Sequence, residues 1–345
     1  MKTLLVLPLA LALAATTASE SSPLLPTPSP PTWTLLPTNT HQQFRGLSAI
    51  SATTAWAAGT NTTVLRTTDS GATWTSVGPA LPPNSTLEFR DIEAFSALRA
   101  VVLSIGEGAA SRIYTTDDGG VSWSNTFTNP DAAAFYDCLA FNGPLRGMAV
   151  SDPVGGKFRL IETRDGGASW DVVPSDGMPA ALPGEFGFAA SGTCLATQAG
   201  RWYLASGGVG SSRVFRSADD DDGLRWDVAE SGIFRDRRHG IAVGGDYTVP
   251  NARVNVSSWT ADGGETWVLS REFPGGYRSG SAWVPGRCGT AVAVGPTGSD
   301  FTVDGGRTWR GFDVSKALQE LQLVWVFMQC LFTSSTGCLS PSPAR

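Results

Sequence analysis

The chain has 345 residues, of which 41% are hydrophobic and 16% charged, with a formal net charge of -6 and a pI near 5.0. This acidic balance excludes nucleic acid as the main partner, because no basic excess is available to neutralise phosphates. Five cysteines without a Cys-x-x-Cys pair, and only His41 and His239 as imidazoles, exclude the usual zinc spacings, so neither a metal nor a cofactor is expected.

Residues 1–18 read as a secretory signal peptide: Lys2, an apolar run from Leu4 to Ala15, and small residues before a cut near Ser19. The run is too short to span a bilayer, so no stable membrane insertion is expected. The protein is placed outside the cell, or in the periplasm of a bacterium. Residues 19–31 form a Ser/Pro-rich tether. A single domain is expected over residues 32–312.

That domain is organised by a repeated hairpin motif, first seen at Thr67-Thr68-Asp69-Ser70-Gly71-Ala72-Thr73-Trp74. Close copies carry Asp118 and Trp123, Asp165 and Trp170, Asp262 and Trp267, and Asp304 and Trp309; a degraded copy carries Asp221 and Trp226. Successive tryptophans are 49, 47, 56, 41 and 42 residues apart. Units of that length cannot bury an apolar face alone, so they must stack, and a radial array is the expected arrangement. The aspartate is expected to accept hydrogen bonds within its own turn, the glycines to supply positive φ, and the indole to wedge between units. These aspartates are therefore read as structural rather than as metal or acid sites. The residues match the Asp-box, or bacterial neuraminidase repeat, Ser/Thr-x-Asp-x-Gly-x-Ser/Thr-Trp.

Each unit is expected to hold four strands, the innermost first; in the first unit these are 44–50, 54–59, 64–67 and 74–77. Further inner strands are predicted to begin near Phe89, Phe135, Phe188, Ile233 and Tyr277. The unit between Trp226 and Ile241 is cramped, so its inner strand should be short. Thr32-Trp33-Thr34-Leu35-Leu36 resembles a seventh outer strand. The fold expected is therefore an all-β, seven-bladed β-propeller, its last blade closed by the N-terminal strand so that no sheet edge is left open. Residues 313–345 give no strand signal and are set apart as an atypical tail, read as a misread exon or frameshift in preference to a docking helix.

Stretches that the repeat does not explain carry a family resemblance: Phe89-Arg90-Asp91-Ile92, Phe135-Tyr136-Asp137-Cys138, Asp152-Pro153-Val154-Gly155-Gly156-Lys157, Pro183-Gly184-Glu185, Arg237-Arg238-His239-Gly240 and Gly275-Gly276-Tyr277-Arg278. In these the chain resembles the photosystem II stability/assembly-factor-like family of seven-bladed propellers, which includes secreted bacterial and fungal members. The resemblance implies a chaperone-like scaffold that holds a partner polypeptide through an arginine-rich surface. Arg45, Arg90 and Arg278 each follow an aromatic residue at the start of an inner strand, and with His239 they are the candidate ligand-binding residues at the channel mouth.

The function expected is thus a secreted, non-catalytic propeller that binds a protein or peptide at its channel face. The alternative is a sialidase-like glycoside hydrolase acting on carbohydrate, for which Tyr136, Asp137 and Glu185 are the catalytic candidates and a carboxylate pair about 5 to 10 Å apart the requirement. An oxidoreductase is a weaker reading. Gly106 to Ser111 mimics part of a dinucleotide fingerprint but lies between strands, without a helix to receive a pyrophosphate. Cys138 and Cys194 fall in consecutive units, and a bridge between them is compatible with an oxidising compartment. Asn61, Asn84 and Asn255 begin glycosylation sequons in turn-like stretches.

Overall fold

A computed structural model describes residues 36–312, apart from short stretches between 189 and 237 and residues 285–286. The chain falls into two units, 1–31 and 32–345, and every described residue belongs to the second. The predicted signal peptide, tether and tail lie outside the described residues, as does Asp221.

Six antiparallel sheets follow one another along the described chain, and together they form a β-propeller. Blade 1 is built from Phe44–Ala49, Ala55–Gly59, Val64–Thr67 and Thr75–Ser76, in that order across the sheet. The first strands of the next two blades are Glu88–Ala94 and Tyr136–Asn142. Blade 4 begins in two pieces, Glu185–Phe186 and Leu195–Gln198, both paired with Arg201–Gly208. Blades 5 and 6 begin with Ile233–Phe234 and Gly280–Trp283. The two-residue strand of blade 5 is the cramped one anticipated from its spacing.

Burial sorts the strands by depth. Second strands are small or apolar almost throughout and nearly wholly buried, as in Ala55–Gly59 and Ala100–Ile105. Outer strands such as Thr75–Ser76 and Asp171–Val172 face solvent. The first strands of blades 1 to 4 pack on one another in succession around the channel. The core lies between blades rather than within them: Trp56, Phe89, Val102 and Trp123 join blades 1 and 2, and Met148, Phe158, Trp202 and Phe215 join blades 3 and 4. A buried interior shared in this way is how small sheets acquire enough apolar contact to be stable.

The repeated turns tie the third strand to the fourth. In blade 1 Thr67 donates its hydroxyl to Asp69 at 2.8 Å, and Asp69 also accepts from the Thr73 amide (2.9 Å) and hydroxyl (2.5 Å). The same bonds recur at Asp118, Asp165, Asp262 and Asp304. Gly119 and Gly120 in the second copy have φ of 81° and 83°, which L residues with a Cβ rarely adopt. Three of these turns are also gripped by the preceding blade. Arg66 donates to the Gly119 carbonyl at 2.9 Å, Arg99 to that of Gly166 at 3.0 Å, and Arg216 to that of Gly263 at 3.3 Å.

Among the described residues the expectation of seven blades is corrected to six. Each described turn motif lies inside or beside a sheet that already has its own outer strand, so no described blade needs an outer strand from residues 32–36. Of that segment only Leu36 is described, and it belongs to no strand. The predicted seventh blade rested on one tryptophan at the right spacing without the turn that defines the repeat.

Candidate functional site

The channel face is shaped by an irregularity common to three consecutive first strands. The register with the second strand shifts between Phe44 and Gly46, between Phe89 and Asp91, and between Tyr136 and Cys138. The residue left out of the ladder is Arg45, Arg90 and Asp137 in turn, each just after an aromatic anchor. Bulges of this kind re-aim a side chain without disturbing the rest of the sheet.

Arg45 and Arg90 are brought together at the end of the ring where the first strands begin. Burial lowers the Arg45 pKa from its ordinary value and the Arg90 charge lowers it further, while Glu88 and Tyr277 act in the opposite direction. Arg90 is paired with Glu88 on its own strand, Nε to Oε1 at 3.1 Å, and Glu88 is itself partly exposed. Arg278 does not join them as a ligand-facing group. It is buried, donates from Nε to Asp300 at 2.6 Å and from Nη1 to the Tyr277 carbonyl and Thr297 hydroxyl at 2.9 Å each, and so braces blade 6. His239 is not brought to this end. It lies in the turn between the first two strands of blade 5, at the opposite end of the ring, in a pocket of about 250 Å³ shared with Thr260, Asp304 and Arg307.

The residues considered for hydrolysis are held in structural roles. Tyr136 is buried edge-to-face against Phe127, and burial pushes its phenol up to about 12. Burial of Glu185 raises its pKa, but bonds from Arg213, Ser206 and the Leu182 amide outweigh this and hold it below the usual carboxylate value. Asp137 is buried and bonded to Asp152, whose own carboxyl is raised by burial while the Gly187 amide donates to it at 2.8 Å. The segment Gly106 to Ser111 contains a single short turn, Gly108–Ala110, rather than a helix start. Among the described residues no three His, Cys, Asp or Glu side chains stand together as a metal site, and no helix is long and apolar enough to cross a membrane.

What sequence reasoning missed is an acidic layer behind the mouth. Asp91 accepts the Leu139 amide of blade 3 at 2.7 Å, and burial raises its carboxyl well above the ordinary value; burial alone takes Glu93 to about 7. Between its two pieces the first strand of blade 4 leans on this layer. A Cβ added at Gly187 would come within 2.6 Å of Asp137 Oδ2, and one at Gly192, where φ is +64°, within 2.4 Å of Asp91 Oδ1. Cys194 is disulfide-bonded to Cys138, with Cα atoms 6.0 Å apart.

Opposite pH responses follow from the two sets of carboxyls. Hydrogen bonds from Ser122 and Ser169 hold Asp118 and Asp165 at about 2, so their contribution is full above the ordinary carboxyl range and is lost as pH falls toward 2. Glu93 is raised, so its contribution is full below that range and is lost as pH rises through about 7. Stability should therefore peak near about pH 5 and decline toward about pH 8. Glu93→Gln should flatten that decline; urea midpoints at the two pH values that fall equally in wild type and variant would contradict the assignment.

Among the described residues six blades surround a channel, five of four strands and one whose first strand is in two pieces, with an arginine pair at one mouth, and the fold is that of a β-propeller. The chain is similar to several solved structures. One is YCF48 bound to a D1 peptide, 17% identical with a TM-score of 0.55, covering 80% of this chain and 83% of that one. Another is YCF48 from Cyanidioschyzon merolae, 19% identical with a TM-score of 0.54, covering 82% and 89%. A GH74 enzyme from Niastella koreensis is 13% identical over 78% of this chain and 62% of that one, with a TM-score of 0.31. No protein-family model and no curated protein matches the chain. At these identities the two YCF48 likenesses show a shared fold and nothing more.

Proposed function

We propose that the chain is a secreted, non-catalytic propeller of the photosystem II assembly-factor-like type, that its repeated turns are Asp-boxes, and that it holds a protein or peptide partner at the channel face. The observation that carries this reading is the arginine pair. Two matched bulges set Arg45 and Arg90 side by side at the mouth, partly buried, with Glu88 as a nearby counter-charge. At Arg45 the repulsion from Arg90 outweighs the attraction of Glu88, and an incoming carboxylate adds a further counter-charge through charge-assisted bonds.

Likeness to a propeller solved with a D1 peptide supports a peptide as ligand. The Cys138–Cys194 bridge supports an oxidising compartment, and with it the export suggested by residues 1–18. Asn61, Asn84 and Asn255 are exposed in left-handed turns, which suits glycosylated loops. Glu185, tied to Arg213, and Tyr136, sealed in the core, lend hydrolysis no support.

The test is binding of the full chain to an array of acidic, neutral and basic peptides at two salt concentrations. Acidic peptides should bind best and weaken with salt, and Arg45→Ala with Arg90→Ala should weaken them by at least about ten-fold. Binding that ignores both salt and the two substitutions would reject the reading.

A further inference from the structure

The loop joining the second and third strands of blade 5, residues 244–256, is long for its place. The same connection in blade 6 runs only from Gly295 to Gly298. It is shaped by its own bonds: Asp246 accepts from the Thr248 amide at 2.8 Å and hydroxyl at 2.6 Å, and the Ala252 amide donates to the Val249 carbonyl at 2.9 Å. What it displays is apolar. Tyr247, Val249 and Val254 are 67%, 55% and 74% exposed, so the loop holds apolar surface in water for no gain to the core.

Its position gives that surface a context. The Pro250 carbonyl accepts from the Tyr277 amide at 2.8 Å and the Gly244 carbonyl from the Arg278 amide at 3.0 Å, which seats the loop on the start of blade 6. Tyr277 in turn lies within electrostatic reach of both Tyr247 and Arg45. The exposed side chains and the arginine pair therefore occupy the same end of the ring, the blade 5 loop meeting Tyr277 at the start of blade 6 and Tyr277 reaching Arg45 of blade 1.

We propose that this loop is the apolar half of the site whose polar half is Arg45 and Arg90, and that its occupant is an extended segment of another protein in which an apolar side chain stands close to an internal Asp or Glu. The inference rests on the reading that the channel face binds a polypeptide. Charge complementarity selects the acidic group. A side-chain carboxylate fits better than a chain end, because the guanidiniums are half-buried while the loop side chains stand in solvent. An extended segment lying on the loop reaches down with a side chain. Tyrosine supplies rigid, amphipathic contact area at little entropic cost, and arginine and tyrosine dominate the energetics of such surfaces.

The test is fluorescence anisotropy of the full chain with four synthetic peptides on one Gly/Ser background. The first carries Leu near Glu and an amidated end; in the second Ser replaces Leu; in the third Gln replaces Glu; the fourth is the third with a free C-terminal carboxylate. Each change from the first peptide should weaken binding by about ten-fold. Tyr247→Ala with Val254→Ser should weaken the first peptide by about as much and leave the second unaffected, since the two changes remove one contact. An unchanged thermal midpoint of that variant confirms that the loop substitutions leave the fold alone. If the variant binds the first peptide like wild type while Arg45→Ala with Arg90→Ala loses it, the loop is not part of the site and the peptide reading stands. If the fourth peptide binds best, the carboxylate comes from a chain end and the proposal falls. If wild type binds none of them, the peptide reading itself fails.

Discussion

Replacing Asp300 with Asn is expected to lower the unfolding free energy by about 3–5 kcal/mol, among the largest single effects in the ring. Arg278 and Asp300 have side chains only 2% and 3% exposed. Asp300 accepts from Arg278 Nε at 2.6 Å and from the Gly275 amide at 3.1 Å, and Arg278 spends its remaining donors on the Tyr277 carbonyl and Thr297 hydroxyl. A guanidinium cannot shed its proton, so without its partner it stays charged in a site that water does not reach. Replacing both residues, Arg278→Met with Asp300→Leu, should cost far less, because no unpaired charge is left behind. Arg90→Ala should cost under about 1 kcal/mol, since Glu88 is partly exposed and its pairing is screened. Urea unfolding of the three variants decides the matter. A loss below about 1 kcal/mol for Asp300→Asn would mean that the pair is hydrated and that Arg278 remains open to a ligand.

That contrast shows how far the sequence could be read. Turn chemistry and a period of six tryptophans are local properties, and local rules settled the strand order within the blades, down to the shortened first strand of blade 5, but not the split first strand of blade 4, whose predicted start at Phe188 falls between its two pieces. The ring number was harder. A lone Trp33 among strand formers looks the same in sequence whether it completes a sheet or merely precedes one. At the site, an arginine after an aromatic residue stands at the start of three predicted inner strands, but sequence does not reveal the partner each one meets. Arg45 and Arg90 reach the mouth because bulges release them, whereas Arg278 finds Asp300, which stands 22 positions later in the chain. The acidic layer of Asp91, Glu93, Asp137 and Asp152 was illegible for a related reason. Its members come from two blades, and nothing in the sequence marks Gly187 and Gly192 as the glycines that make room for blade 4 beside them.

The bridge between Cys138 and Cys194 should matter nearly as much as the buried ion pair. It closes a loop with a sequence separation of 56, for which the loss of unfolded-chain entropy corresponds to about 4 kcal/mol. Cys138 lies in the first strand of blade 3 and Cys194 just ahead of the second piece of the blade 4 strand, so the bond crosses the seam between two blades. The seam is otherwise held by Met148, Phe158, Trp202 and Phe215 and by the Gly187 amide on Asp152. Cys138→Ala with Cys194→Ala should lower the melting temperature by about ten degrees in a domain of this size. Both sulfurs are buried, so reductant should act only as the wild type opens, lowering its midpoint toward that of the variant and leaving the variant itself unchanged. A wild type that melts alike with and without reductant would show that core packing alone closes the seam. The bridge would then no longer tie the fold to an oxidising compartment, and the case for export would rest on residues 1–18.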